Sequence, residues 1–222
     1  MPNRRCALIA LPALIAAPTL SACSGGEVDV GAVEDLMREH GILRRAILVF
    51  RESAGRLRAS KSVDAVALHK TAQLFRSFGE DYHERKLEEA YIFPALRKAG
   101  GSAATMVDTL IAQHNRGREI IDHVMSVTRG AIAQDQSLAA AMEQFELMYE
   151  NHAAREDTVI FPAWKKAIGP HEVEEMGEKF EDIEKQQFGG DGFDMAVRQI
   201  EEIEQTLGLA DLAQFTASPA PT

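Results

Sequence analysis

The stretch 88-EEAYIFPALRKAG-100 decides the fold, because a closely similar stretch, 156-EDTVIFPAWKKAIG-169, follows later in the same chain. Each copy begins with two acidic residues, passes through Ile-Phe-Pro-Ala, and has a basic pair shortly before its final glycine. A histidine precedes each copy, His83 in the first and His152 in the second. The recurrence of a histidine, two carboxylates and Phe-Pro in one order predicts an internal repeat of a helix pair.

Four segments of the chain carry apolar residues three and four positions apart, which is the spacing of one buried helix face. Short stretches with break signals separate them, at residues 59–62, 100–102 and 129–136. Short links make neighbouring helices antiparallel. The sequence therefore predicts an all-α fold, an up-down-up-down four-helix bundle with an internal two-fold helix-pair repeat, over residues 32–168.

Each of the four predicted buried faces carries one histidine, and two of them also carry a carboxylate. A single histidine on such a face is more often a core residue with a satisfied hydrogen bond than a metal ligand. Four of them meeting in one bundle core would be unfavourable unless a cation lay between them. The sequence therefore predicts a metal site. The candidate ligands are His40, His83, Glu88, His114, His152 and Glu156.

The spacing within the two copies differs by one residue. His152 and Glu156 are four residues apart and share a helix face. His83 and Glu88 are five apart, which an ideal α-helix rotates by about 140°. A π-bulge between them would restore the register. Glu84, four residues before Glu88, is a further candidate ligand, with a solvated surface glutamate as the alternative.

The Phe-Pro pairs at 93–94 and 161–162 are expected to end the two carboxylate-bearing helices. The reason is that the residue before a proline avoids helical geometry. The phenylalanine side chains would then close the end of the bundle next to the metal, which is a packing role.

Residues 1–22 have the shape of a secretory signal peptide, with a pair of arginines before an apolar run. The run is broken by two prolines and is too short for a membrane span. The sequence 20-LSAC-23 resembles a bacterial lipobox, which predicts lipidation of Cys23 and anchoring of an exported protein to a bacterial membrane, facing the periplasm or the cell exterior. An ordinary signal peptide and twin-arginine export are the alternatives.

The composition narrows the remaining possibilities. A net charge of -10 without a basic stripe argues against nucleic acid as a partner. Removal of residues 1–22 leaves Cys23 as the one cysteine, so the core must stabilise the mature chain without a disulfide, and a metal could contribute. Residues 23–31 are interpreted as a linker. Residues 169–209 predict additional C-terminal helices, either a brace or a partner-docking element, and residues 210–222 a disordered tail.

The motifs 34-EDLMREHGILRR-45, 82-YHERKLEEAYIFPAL-96, 113-QHNRGREI-120 and 152-HAAREDTVIFPAW-164 resemble those of a hemerythrin-like, HHE cation-binding domain. The resemblance implies two non-haem Fe ions, bridged by carboxylates and an oxo or hydroxo species. It further implies that dioxygen, or another small diatomic or peroxide ligand, is bound or sensed there. The four histidines would be terminal ligands, with Glu88 and Glu156 as bridges.

One position departs from the family pattern. Oxygen-carrying hemerythrins have a histidine four residues after the one on the third helix, where this chain has Arg118. A site with more carboxylate and less imidazole stabilises ferric iron, which favours sensing, oxidant chemistry or iron handling over reversible carriage. A ferroxidase or peroxidase of ferritin type is the alternative, since Glu80 and His83 supply one Glu-x-x-His motif. A metal-free structural bundle would not explain the histidines.

Overall fold

The computed structural model describes residues 30–130 and 135–220, and every regular element in these ranges is a helix. The helices pack around one apolar core, as predicted for an all-α bundle. The predicted signal peptide and Cys23 lie outside the described residues. Within the described ranges, no helix combines the length and the apolar character that a membrane crossing requires.

Four long helical segments make up the bundle. The first is α1 (Ala32–Arg58), and the third is α5 (Val107–Val127), which follows the short α4 (Gly101–Ala104). The second and fourth are compound helices with a π-helical part. The second comprises α2 (Ala65–Leu74), π1 (Phe75–Ile92) and α3 (Phe93–Ala99). The fourth comprises α6 (Gln136–Arg155), π2 (Glu156–Ile160) and α7 (Phe161–Ile168).

The bundle is held together by side chains from all four segments. Helix α1 packs mainly along α6, while α5 packs along both α6 and the second bundle helix. Three buried phenylalanines from different helices meet at the centre, Phe50, Phe75 and Phe145, with ring centroids 4.9–6.3 Å apart. This aromatic layer fills the core on one side of the histidines.

The π-helical segments occur where the two copies of the repeat carry their carboxylates. In a π-helix the hydrogen bond reaches five residues back rather than four. The backbone N–H of Phe93 donates to the carbonyl of Glu88, and that of Phe161 to the carbonyl of Glu156. The π-bulge predicted between His83 and Glu88 is confirmed, although the π-helical part is much longer. The second one was not predicted.

The two prolines do not end their helices, so that prediction was wrong. Phe93 has φ -63° and ψ -42°, and α3 continues to Ala99; α7 likewise continues to Ile168. Both prolines lie in the first turn of an α-helical segment that restarts after a π-helical one. A missing N–H is tolerated there because the first-turn donors lack partners within the helix.

The accessory helices α8 (Pro170–Phe188) and α9 (Gly192–Leu207) pack on the outside of the bundle, and a short 3-10 helix (Leu212–Phe215) comes after them. Ile200 of α9 is fully buried against the bundle. Arg45 of α1 donates two hydrogen bonds, of 2.9 and 2.6 Å, to the carboxylate of Glu204 on α9. Phe180 of α8 stacks on Trp164. The accessory helices thus pack against α1 and other bundle helices.

Candidate metal centre

Six of the predicted ligands meet in the bundle core, and none of their side chains is more than 4% exposed. Each bundle helix contributes at least one of them, because each carries a histidine in phase with its apolar residues. They are His40 of α1, His83 and Glu88 of π1, His114 of α5, His152 of α6 and Glu156 of π2.

The four imidazoles form two pairs through their Nε2 atoms. The Nε2 atoms of His40 and His83 are 3.0 Å apart, and those of His114 and His152 are 3.1 Å apart. Each pair joins the two bundle helices of one copy of the repeat. Two imidazoles cannot both present a lone pair at this distance without repulsion, so each pair needs a shared proton or a metal ion between the two nitrogens.

The outward nitrogen, Nδ1, of every histidine has an oxygen acceptor. The four contacts are His83 with Glu39 at 2.5 Å, His40 with Asp157 at 2.7 Å, His114 with Glu89 at 2.9 Å and His152 with Gln113 at 3.0 Å. With the ring proton on Nδ1, donated to these acceptors, the Nε2 lone pairs point into the centre. This is the arrangement that orients histidine ligands in metalloproteins.

These four oxygen acceptors were not identified from the sequence. Each is the immediate chain neighbour of a candidate ligand, and each serves a histidine on a different helix from its own. Glu89 and Asp157 are the second acids of the two repeated acidic pairs. The presence of two adjacent acids in each copy was therefore the sequence signal for these two acceptors. In each pair the first acid faces the centre and the second holds a histidine.

The carboxylates of Glu88 and Glu156 lie between the histidine pairs. Glu88 places Oε1 3.5 Å from Nε2 of His83 and Oε2 3.3 Å from Nε2 of His114. Glu156 places Oε2 2.9 Å from Nε2 of His152 and 3.5 Å from Nε2 of His40. Within the described residues, none of these four buried oxygens has a partner in hydrogen-bond geometry.

Three groups of ligand atoms are close enough to hold a metal ion. The two central groups consist of Glu88, His114, His152 and Glu156, and of His40, His83 and Glu88. The third, of Glu84, Glu89 and His114, lies on the outward Nδ1 side of His114. Glu88 belongs to both central groups. A metal–nitrogen bond is about 2.1 Å long, and two such nitrogens at right angles around one ion are about 3.0 Å apart. The observed histidine pairs and the unpaired carboxylate oxygens thus fit a bound cation.

In the metal-free centre, protons take the place of that cation. Burial opposes protonation of His83 and His114, but nearby carboxylates outweigh it, above all Glu88 for His83 and Glu84 for His114. Both pKa values are therefore raised well above the ordinary one. For His152, burial and the adjacent His114 lower the pKa to about 3. The His114–His152 pair thus holds one proton, and His83 can supply the one in the other pair.

The two central carboxylates differ in protonation. Burial, and then the negative charge of Glu88, raise the pKa of Glu156 well above its usual range. For Glu88, burial is outweighed by the charged His83 and His114, so its pKa lies well below that range. Two negative charges on neighbouring carboxylates are unfavourable in a buried site, so one of the two carboxyl groups keeps its proton.

Two phenylalanines cover the histidines from the repeated Phe-Pro pairs. Phe93 stacks on His114, with ring centroids 5.6 Å apart, and Phe161 stacks on His40 at 5.4 Å. Both phenylalanines are buried, so they shield one side of the centre from water. Their equivalent positions in the two copies explain why Phe-Pro accompanies the ligands.

Glu84 does not join the six central residues. One of its oxygens accepts a hydrogen bond of 3.0 Å from Arg118 and lies 4.0 Å from the outward Nδ1 of His114. Arg118 also donates to Glu89 at 2.6 Å. The buried guanidinium thus forms ion pairs with two carboxylates behind His114. The other histidines lie away from the centre; His69, for example, bonds Thr128 at 2.8 Å.

Comparisons with known proteins agree with this geometry. A family model described as the hemerythrin HHE cation-binding domain matches residues 31–164, which include all six central residues. Relatives from Mycobacterium bovis and Mycobacterium tuberculosis, described only as uncharacterized proteins, are 44% identical over 218 residues. The match covers 90% of this chain and 85% of each relative. No solved structure matches the chain significantly.

The contact between Glu39 and His83 yields a first prediction. Glu39→Leu removes the acceptor that fixes the ring of His83, so we expect metal affinity to fall about 10- to 100-fold. Glu39→Gln should retain most of the affinity, since Gln113 serves His152 with an amide oxygen. Competition with a chelator measures the affinities, with the exposed Glu34→Leu as control. Equal affinity of Glu39→Leu and the control would contradict this prediction.

The protonation pattern yields a second prediction. His83 and His114 have pKa values raised well above the ordinary value for histidine and hold protons at neutral pH without metal, whereas a metal requires them deprotonated. Full metal loading at pH 7 should therefore release protons, and metal affinity should rise with pH. Calorimetric titration in buffers of different ionisation enthalpy counts these protons. Loading without proton release would show that the pattern is wrong.

Proposed function

Since this chain belongs to the hemerythrin HHE cation-binding domain family, we propose that it is a non-haem di-iron protein that binds or senses dioxygen or a related small oxidant. The observation that carries the proposal is the facing of Nε2 atoms in two separate histidine pairs, at 3.0 and 3.1 Å. Two pairs, each requiring its own cation, support two metal positions rather than one.

Glu88 would bridge the two ions. Its two oxygens face different histidine pairs, and it is the one residue shared by the two central ligand groups. Glu156 is also within 3.5 Å of a nitrogen from each pair, which supports a second bridge. Helical bundles that hold two irons use carboxylates and histidines on facing helices in this way. The bound irons would supply one-electron redox chemistry and a coordination position for a small ligand.

The up-down-up-down topology is part of the same proposal. The connections between successive bundle helices are short, and α1 packs along α6, the main part of the fourth bundle helix. Antiparallel neighbours with short links place the middle of every bundle helix at one level, where the ligands are. The two-fold repeat then relates the pair His40–His83 to the pair His114–His152.

The surroundings of the centre support sensing or oxidant binding more than reversible carriage. Position 118 holds a guanidinium that is bonded to Glu84 and Glu89, so it supplies no nitrogen ligand to iron. Each iron would then have two imidazoles and share carboxylates. A donor set rich in carboxylate stabilises ferric iron, which binds dioxygen poorly but suits a protein that responds to oxidation.

The ferritin-type alternative has less support from the geometry. Glu80 would be the additional ligand in its Glu-x-x-His motif, and it is fully buried. Its carboxylate lies 2.6 Å from Nε of Arg76, and it belongs to none of the ligand groups found among the described residues. We therefore rank a ferroxidase or peroxidase second.

Iron content provides the direct test. The mature protein, loaded anaerobically with ferrous iron, should hold about two irons per chain. His152→Ala and Glu88→Ala should each lose much of that iron because they remove central donors. His171→Ala, which changes an exposed histidine, is the control.

Glu84→Gln tests whether Glu84, the remaining ligand candidate, binds iron. It should keep both irons if Glu84 serves Arg118 alone, and lose one if Glu84 is a ligand. Unchanged iron in both His152→Ala and Glu88→Ala would overturn the di-iron assignment. Optical spectra after admission of air then separate a stable oxygen-to-iron band from rapid turnover.

We further propose export and lipid anchoring at Cys23, which lies outside the described residues and rests on the LSAC sequence. A lipid on Cys23 would hold the bundle at a membrane surface, with residues 23–31 as the link. Cys23→Ser should then leave the exported protein in the soluble fraction, whereas the unaltered chain sediments with membranes. Sedimentation of the Cys23→Ser protein with membranes would contradict the proposal.

A further inference from the structure

One buried polar group next to the centre takes no part in the arrangement of the ligands. The hydroxyl of Tyr149 is fully buried and, within the described residues, has no hydrogen-bond partner. The Tyr149 ring lies 6.0 Å from the ring of His152 and 6.2 Å from that of His40, so it is next to both histidine pairs. A buried hydroxyl ordinarily has a partner, because burial removes the hydrogen bonds it would make with water.

The position of Tyr149 is unlike that of an ordinary core tyrosine. Its ring packs on Phe75, with centroids 5.2 Å apart, and on Phe145 at 6.1 Å. The ring therefore belongs to the aromatic layer beside the histidines. A phenylalanine would complete that layer equally well, so packing alone does not account for the hydroxyl.

A small cavity adjoins Tyr149 on the side of the second histidine pair. Its walls include Tyr149, His114, His152, Glu84 and Gly117, and the volume open to the centre of a water molecule is about 10 Å³. That is close to the least space that a single water molecule needs. The space beside Gly117 is tight, since a Cβ atom at this position would lie 3.3 Å from the ring of Phe145.

The cavity is mostly apolar, but two candidate ligand histidines and Tyr149 line it. A small ligand there would therefore find few polar groups besides these. Burial, and next the negative charge of Glu156, raise the pKa of Tyr149 well above its ordinary value, so the phenol keeps its proton. It can therefore donate one hydrogen bond, and no acceptor among the described residues competes for it.

We propose that Tyr149 donates a hydrogen bond to a small exogenous ligand with an acceptor atom, such as a solvent-derived hydroxide or an oxygen diatomic, held beside His114 and His152. The inference rests on the proposed function, since the ligand would occupy a coordination position of the metal on that side. It adds a specificity: ligands that accept a hydrogen bond are held more tightly than ligands of equal size that do not.

Azide binding to the iron-loaded mature protein tests this inference, because azide is a small anion that accepts hydrogen bonds. Tyr149→Phe should keep the iron content of the unaltered protein while weakening azide about three- to tenfold, with faster dissociation, as expected for one lost hydrogen bond. Optical titration and stopped-flow measurement give both quantities. Tyr91→Phe is the matched control, since that partly buried tyrosine packs on Phe180 in the accessory helices.

The outcomes separate this inference from the di-iron assignment. Unaltered protein that takes up no iron contradicts the proposed function itself. Iron-loaded Tyr149→Phe with the azide affinity and dissociation rate of the Tyr91→Phe control contradicts the role of Tyr149 alone. Loss of iron in Tyr149→Phe also overturns that role, because the hydroxyl would then act on the ligands rather than on an exogenous molecule.

A measurement on the metal-free protein adds a readout that does not depend on loading. Because the hydroxyl has no partner among the described residues, Tyr149→Phe should melt at the same temperature as the unaltered metal-free protein or above it. A clear drop in melting temperature would show that the hydroxyl has a structural partner, and would overturn the inference.

Discussion

The structure depends on one electrostatic constraint: four imidazole nitrogens with their lone pairs directed inward face each other, two by two, in a buried core. Oxygen acceptors on the opposite ring nitrogens favour this orientation of the rings. The surrounding phenylalanines exclude the water that would otherwise screen it. A proton or a metal ion in each pair relieves this repulsion.

The backbone contributes to this centre through its unusual helices. A π-helical turn widens the helix by one residue and rotates the residues after the turn, which allows an acid five residues after a histidine to reach the same core. In both copies the turn closes on the phenylalanine that stacks against a histidine. The repeated Phe-Pro pair is thus explained by the site: phenylalanine covers the ring, and proline occupies a turn where no donor is needed.

Much of this could be predicted from the sequence because the signals are periodic. Apolar residues three and four apart place His40 and His114 in the core without any knowledge of neighbouring helices, and the broken spacing from His83 to Glu88 indicates a π-helical register. The features that sequence reasoning missed depend on contacts across helices. Glu39 and Asp157 look like solvated surface acids until the adjacent helix is in place, and Arg118 reaches Glu84 only through the packing of α5 on π1. The proline prediction was wrong because the rule for the preceding residue is statistical: Phe93 takes helical geometry, and the proline is tolerated in the first turn of the restarting helix.

Each bundle helix supplies the hydrogen-bond acceptor for a histidine of another helix, and the order of these contacts has a consequence for how such a centre could arise. The first bundle helix supplies the acceptor for the second, the second for the third, the third for the fourth, and the fourth for the first. Half of these links join the two copies of the repeat. A single helix pair would leave one of its imidazoles without an acceptor, but two identical pairs related by a two-fold axis would complete the cycle. Self-association and formation of the centre would then have been one event in a homodimeric ancestor, and gene fusion would have made that association permanent.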